Sequence, residues 1–313
     1  MKIGIDIMGS DFGPEVPVQG VLLATQELNT SGIEIILLGQ ADLIKSTLQK
    51  EGANPDDFEI MNCEEVIEMK DTPIKALSMK RNSSLSKGFK MLVEKSLDGF
   101  ASAGNTGAMM AGAMLIVKNV PGVIRPCVIS FMPKENGKAN ILLDVGSNAD
   151  CKPDVMYQFG ILGSLYSSNI LDVQNPRVGL LNIGKEKGKG NLLTQATYDL
   201  MEDSKEFDFV GNVEGNEIFD DKTDVIVTDG FTGNVVLKSM ERIYGLLKKR
   251  DFVDDFFERF DYQSFGGSPI LGVNYPVVVG HGSSTPEAIK NMISLTRSMV
   301  DANLCEKTRE AFY

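Results

Sequence analysis

Residues 1–15 read MKIGIDIMGSDFGPE, a short apolar run closed by a loop of Gly, Ser and Asp. One Lys precedes the run and two Asp interrupt it, so it predicts a first β-strand rather than a signal peptide. The loop Met8-Gly9-Ser10-Asp11 then leads into a stretch with helical spacing. The same order of strand end, Gly/Ser/Asn/Thr loop and helical pattern recurs at 102–107 (SAGNTG), 182–185 (NIGK), 228–234 (TDGFTGN) and 281–287 (HGSSTPE).

Further β-type runs lie at 33–38, 127–131, 141–145, 178–183, 225–227 and 277–279, with helical spacing at 17–28, 42–50, 85–97, 155–165 and 192–201 between most of them. Such alternation predicts an α/β fold with a mostly parallel sheet flanked by helices. Sheets of this kind carry their sites beyond the strand C-termini, where strand order reverses. With no repeat or linker, residues 1–313 are expected to form one α/β catalytic domain, two lobes being the alternative. Residues 240–262 predict an amphipathic helical segment in which Ile243, Leu246, Leu247, Val253, Phe256, Phe257 and Phe260 alternate with charges. A partner subunit is the expected cover for its apolar side, with acyl-chain or membrane-surface contact as the alternative.

The chain has 313 residues, 42% of them hydrophobic, enough for a sizeable core. Its net charge of −12 argues against nucleic acid and anionic membranes as main partners. A local basic cluster of Lys75, Lys80, Arg81, Lys87 and Lys90 stands apart from that balance, either as a docking patch or as a solvated helix face. Cys63, Cys127, Cys151 and Cys305 form no C-x-x-C pair, which predicts neither disulfides nor structural zinc. No run reaches the ~20 apolar residues of a spanning helix. A soluble cytoplasmic protein is expected, in which the glycosylation patterns at Asn29 and Asn82 have no meaning.

Glycine lets a backbone approach a ligand closely, and a helix start offers unpaired N–H groups to an anion, so the five loops predict a phosphate or an oxyanion as guest. Nucleotide signatures fail: residues 179–185 have P-loop spacing but Glu186 stands where Ser or Thr is required, and no G-x-G-x-x-G follows the first strand. No cofactor is expected. His281 is the only histidine and no G-x-S-x-G elbow is present, which excludes a Ser-His-Asp machine. Around it Thr285, Pro286 and Glu287 read as helix cap, first helical residue and dipole-favoured acid. Asp11, Asp144, Asp150 and Asp229 begin loops, yet no close-spaced carboxylate pair supports a metal.

Taken in order, these motifs resemble the fatty acyl carrier protein–phosphate acyltransferases of bacterial phospholipid synthesis. The resemblance runs almost end to end through DIMGSD at 6–11, VIEM at 66–69, SAGNTGA at 102–108, LLDVGSN at 142–148, DCKP at 150–153, GLLNIG at 179–184, GNVEG at 211–215, TDGFTGNV at 228–235 and HGSS at 281–284. Ser10 stands where that family usually has a second Gly, Ser147 where Ala is common, and the 240–262 stretch looks shorter than usual. The resemblance implies a fold similar to phosphate acetyltransferases and isocitrate and isopropylmalate dehydrogenases, a homodimer, and a long-chain acyl phosphate as product. It also implies acyl carrier protein and inorganic phosphate as partners, and contact with the membrane or with the acyl phosphate:glycerol-3-phosphate acyltransferase.

Phosphate is expected between the 102–107 and 281–285 loops with Lys185 nearby, and Asn182, Asn234 or His281 is expected to stabilise the oxyanion. The catalytic candidates are therefore His281, Asn182, Asn234 and Asp229. Substrate binding falls to Gly9, Ser10, Asp11, Ser102, Asn105, Thr106, Lys185, Ser283 and Ser284. A coenzyme A-dependent acetyltransferase, a dehydrogenase and a non-enzymatic scaffold are the alternatives; assays with both thioesters and with NAD(P)H separate them.

Overall fold

The computed structural model of the protein describes residues 1–28 and 32–313; the pattern at Asn29 lies outside them. The chain divides into two compact units, Met1–Asn119 with Tyr262–Cys305, and Val120–Asp261 with Glu306–Tyr313.

In the first unit β1 (Lys2–Asp6), β2 (Glu34–Gly39), β3 (Glu59–Asn62), β4 (Gly99–Ser102), β10 (Ser268–Leu271) and β11 (Val277–Val279) lie in the order β3-β2-β1-β4-β11-β10. All neighbours are parallel except β10 and β11. β1 and β2 are buried on both faces, which explains their near-continuous apolar sequences. Helices α1 (Glu15–Glu27), α2 (Ala41–Lys50), α3 (Pro73–Met79), α4 (Ser84–Val93), α5 (Thr106–Gly112) and α10 (Pro286–Asp301) belong to this unit. Strand order reverses at β1 and β4. There β1, β4 and β11 run side by side in one direction, with Ile5 beside Ala101 and Ser102 beside Val279, so their C-terminal loops emerge together.

The second unit orders its strands β5-β6-β9-β7-β8: β5 (Cys127–Pro133), β6 (Ala139–Leu143), β7 (Arg177–Asn182), β8 (Asp208–Glu214) and β9 (Val225–Val227). Only β5 and β6 are antiparallel. Helix α6 (Pro153–Ile170) packs closely enough that a Cβ on Gly163 would meet Val225 and Leu143, and α7 (Leu192–Met201) follows β7. A core of Met132, Leu142, Val145, Leu181, Ile218 and Ile226 receives Val236 and Leu237 of α8 (Gly230–Lys248). The 240–262 segment, expected to be helical and amphipathic, consists of the second half of α8, a break, and α9 (Asp255–Glu258). The break has a local cause: Asp251 takes φ +54° and Asp254 caps α9 through Phe257 N–H. The last helix, α11, spans Leu304–Ala311.

At the N-terminal ends of β7 and β9, away from the site loops, lies a buried ion network. Lys134, 1% exposed, holds Asp224 at 2.6 Å and Asp221 at 3.1 Å, and Arg177 bridges the same two carboxylates. Burial opposes ionisation of Asp224, but Arg177 and Lys134 outweigh it and pull its carboxyl down to about 2. Asp224→Asn leaves Lys134 with only one anionic partner and is expected to cost about 3–5 kcal/mol in urea unfolding at neutral pH. Because the folded carboxyl titrates lower than the unfolded one, that contribution fades as pH falls from the ordinary carboxylate range toward about 2. A wild-type-to-variant gap that stays constant over that acid range would contradict the assignment.

Candidate functional site

In the first unit the site is built around Asp6, the last residue of β1, which is buried. Its carboxyl accepts the Ser102 hydroxyl at 2.7 Å and Met8 N–H at 2.9 Å, and Ser102 Oγ accepts Gly104 N–H at 2.9 Å. Burial pushes the Asp6 carboxyl above the usual range, against the pull of the Ser102 and Ser84 hydroxyls and Met8 N–H. These bonds draw the β1 and β4 loops back to back. A Cβ on Gly9 would stand 2.6 Å from Gly104 N, so the approach requires glycine.

The β11 loop joins them. Gly282 O accepts Asp11 N–H at 2.9 Å and, more weakly, the Ser10 hydroxyl at 3.5 Å. A Cβ on Gly282 would come within 2.6 Å of an Asp11 carboxylate oxygen and 2.5 Å of the Met69 methyl. His281 Nδ1 lies 2.7 Å from Ser283 Oγ and 3.3 Å from Ser283 N–H. Thr285 caps α10 by accepting Ala288 N–H, with Pro286 as first helical residue. Ser284, 1% exposed, has a hydroxyl without a hydrogen-bond partner. Buried hydroxyls are normally satisfied, and those of Tyr166, Ser167 and Thr223 elsewhere in the protein are likewise without a partner.

Asn105 bonds the protein's own backbone at both ends of its amide. Its Oδ1 accepts Ala108 N–H and caps α5, while Nδ2 donates to the carbonyls of Glu68, Met69 and Asp71. Lys80 reinforces the same loop through Asp71 at 2.5 Å and Val66 O at 2.8 Å. The basic cluster consequently does not form one open patch. Lys80 braces the loop, Lys87 bonds Asn62 O and Lys90 pairs with Glu94, whereas Lys75 and Arg81 are exposed. Thr106 is exposed at the start of α5.

The remaining candidates lie in the second unit, mostly as loop supports. The Asp144 carboxylate accepts Val128 N–H, both the N–H and the hydroxyl of Ser147, and two N–H groups of Asn148. Asp229 caps α8 through the N–H and hydroxyl of Thr232. Asn234 Nδ2 donates to Val145 O at 3.0 Å. Asn182 accepts Ile183 N–H and donates to Lys189 O and to Asn212 Oδ1, folding the lysine-bearing 183–191 loop upon itself. Lys185 pairs with Glu217 at 2.8 Å, and with Lys222 it draws the Glu217 carboxyl down to about 2. Among the described residues no group of His, Cys, Asp or Glu is arranged to hold a metal ion, and no helix is long and apolar enough to cross a membrane.

Residues 1–307 match the family model described as "Fatty acid synthesis protein". The chain belongs to that family. Its relatives include the phosphate acyltransferases of Dictyoglomus turgidum, 40% identical over 99% of this chain and 97% of that one, and of Syntrophomonas wolfei, 40% identical over 98% and 97%. The expected family is thus confirmed, and the chain is an acyltransferase. Among solved structures it is similar to a phosphotransacetylase from Streptococcus pyogenes (TM-score 0.70, 18% identity, 96% and 94% covered). A 4-hydroxythreonine-4-phosphate dehydrogenase from Klebsiella pneumoniae is similar too (TM-score 0.58, 12% identity, 96% and 99% covered). These likenesses bear out the expected α/β fold, common to transferases and dehydrogenases.

Sequence reasoning missed Asp6 and Met69 as site residues. Asp6 stood inside the DIMGSD motif, at a strand end where a carboxyl can bridge two loops; Met69 gives no signal of its own. The two departures from family habit are explained locally. Ser10 Oγ accepts Phe12 N–H at 3.1 Å, and Ser147 Oγ donates to Asp144 at 2.6 Å. Asn105→Ala should release the 64–72 loop, accelerating amide exchange there and costing about 0.5–2 kcal/mol through the lost cap. Unchanged exchange over those residues would show that the bracing lies elsewhere.

Proposed function

We propose that this family member transfers a long-chain acyl group from acyl carrier protein to inorganic phosphate, yielding acyl phosphate for phospholipid synthesis. The observation that carries the reading is the meeting of the β1, β4 and β11 loops around Gly282, where the unpartnered Ser284 hydroxyl and the His281–Ser283 pair precede α10. Phosphate is already anionic at neutral pH, and a thiol with pKa near ~8.5 leaves as thiolate. A phosphate oxygen can thus attack the thioester carbon directly; the C–O bond forms first, leaving the charge on the carbonyl oxygen, and collapse of that tetrahedral oxyanion breaks the C–S bond and releases the thiolate, with no enzyme nucleophile.

Such a reaction needs orientation, worth roughly 7–11 kcal/mol, and donors aimed at the tetrahedral oxyanion. Ser283, Ser284 and the backbone of the 281–285 loop are assigned to phosphate. The His281 ring is assigned to the developing oxyanion. Gly9, Ser10, Asp11, Ser102 and Asn105 position these groups; in the second unit Asp229 caps α8, and Lys185 and Asn182 shape the 183–191 loop.

Acyl carrier protein is acidic, so an acidic enzyme must receive it on local positive charge, and exposed Lys75 and Arg81 are the assigned contacts. A second copy of the chain is assigned to the exposed Ile243, Leu246 and Phe252 of the 240–262 segment. Delivery of the product to a membrane-bound glycerol-3-phosphate acyltransferase completes the reading.

Purified protein with palmitoyl-acyl carrier protein should release free carrier only when phosphate is present. Phosphate-independent release, or turnover of the coenzyme A thioester alone, would overturn the proposal. His281→Ala is expected to keep the melting temperature and lower kcat by about 10²–10³; near-normal kcat removes its oxyanion role. Lys75→Glu with Arg81→Glu should raise KM for the carrier with kcat little changed. An unaltered KM would return both to the solvated surface.

A further inference from the structure

We propose that Met69, seated on the braced 64–72 loop, contacts the acyl chain of the thioester and sets chain-length preference, with Phe12 as its partner. This rests on the acyl-transfer reading and names the part of that site which takes the hydrocarbon. Isolated exposed apolar side chains are ordinary on protein surfaces. Met69 differs in its neighbour: although 45% exposed, its methyl lies against Gly282, in the loop assigned to phosphate.

The loop is also unusually fixed for one displaying a solvent-facing methionine. Asn105 holds three of its carbonyls, Lys80 holds Val66 O and Asp71, and Asp71 accepts Glu68 N–H at 2.9 Å. Bracing of this kind fixes where the side chain is presented rather than burying it.

Phe12, 58% exposed, directly follows Asp11, whose N–H bonds Gly282 O. The loops carrying Phe12 and Met69 therefore both contact Gly282. The substrate that must meet there has two chemistries, an attacking anion and a chain of methylenes. Polar loops serve the anion, and the methylenes need an apolar wall next to the thioester carbon. A thioether on an unbranched stem adapts to chains of different length.

The test measures kcat/KM for decanoyl- through stearoyl-acyl carrier protein, with phosphate KM recorded in parallel. Met69→Ala should lower the stearoyl-to-decanoyl ratio about tenfold, the scale of lost methylene contacts, while Met69→Leu stays within about twofold of wild type. Phe12→Ala should shift the ratio in the same direction, and phosphate KM should hold throughout. An equal loss at every chain length, or a raised phosphate KM with an unmoved ratio, would overturn the proposal while leaving acyl transfer standing. Should Met69→Ala unfold, Met69→Gln carries the same comparison at similar volume. A wild-type protein that makes no acyl phosphate would overturn both this assignment and the reading beneath it.

Discussion

A carboxyl group taken out of water at the end of β1 governs the geometry of the first unit's site. Asp6 offers acceptors to the Ser102 hydroxyl and to Met8 N–H, and Ser102 passes the connection on to Gly104 N–H. The two loops can meet that closely only because Gly9 and Gly104 lack side chains at the contact. Burying a carboxyl without partners would cost several kcal/mol, and here donors from two strand ends offset the cost. With the β1 and β4 loops joined in this way, Asp11 is placed to bond Gly282 and bring in the β11 loop.

A rigid set of loops suits a reaction whose reactants already carry the reactive charges. Since phosphate needs no activation and a thiolate needs little help to leave, most of the barrier that a protein can remove is orientational and electrostatic. The polar residues accordingly divide into two groups. Asn105, Asn182, Asp144 and Asp229 spend their hydrogen bonds on loop backbone. Ser284 retains an unsatisfied hydroxyl behind the helix start of α10. The first group ties the loops together, and Ser284 is left with its hydroxyl unused.

The fold was legible because its longer strands are buried on both faces and so appear as apolar runs. Shorter strands left less trace. In β4, Gly99-Phe100-Ala101-Ser102, glycine is selected by the approach of α10, since a Cβ there would lie 2.6 Å from Thr296 Cγ2, and the apolar signal disappears. In β10 a proline argues against a strand, yet Pro269 pairs with Val278. In β8 the run is broken by Gly211 at φ +90°. The loops were legible as loops, but the role of each polar residue within them was not. An Asn that ties three carbonyls and an Asn that faces a substrate have the same letter, and only the carbonyls' positions distinguish them.

Both units adopt a similar solution with different letters. Asp6 closes β1 and accepts Met8 N–H from the loop after it and the Ser102 hydroxyl from the end of β4, while Asp144 follows β6 and collects the Ser147 hydroxyl and backbone N–H groups from its own loop. The recurrence follows from what such loops lack. A chain that turns sharply beyond a strand end has N–H groups with no ladder to join, and a carboxyl accepts several of them at once where a carbonyl or amide oxygen accepts fewer. Burial raises the Asp6 carboxyl above its usual range, and the donors that hold it, the Ser102 and Ser84 hydroxyls and Met8 N–H, pull it the other way, so the group that ties the loops together is one whose desolvation its own partners offset.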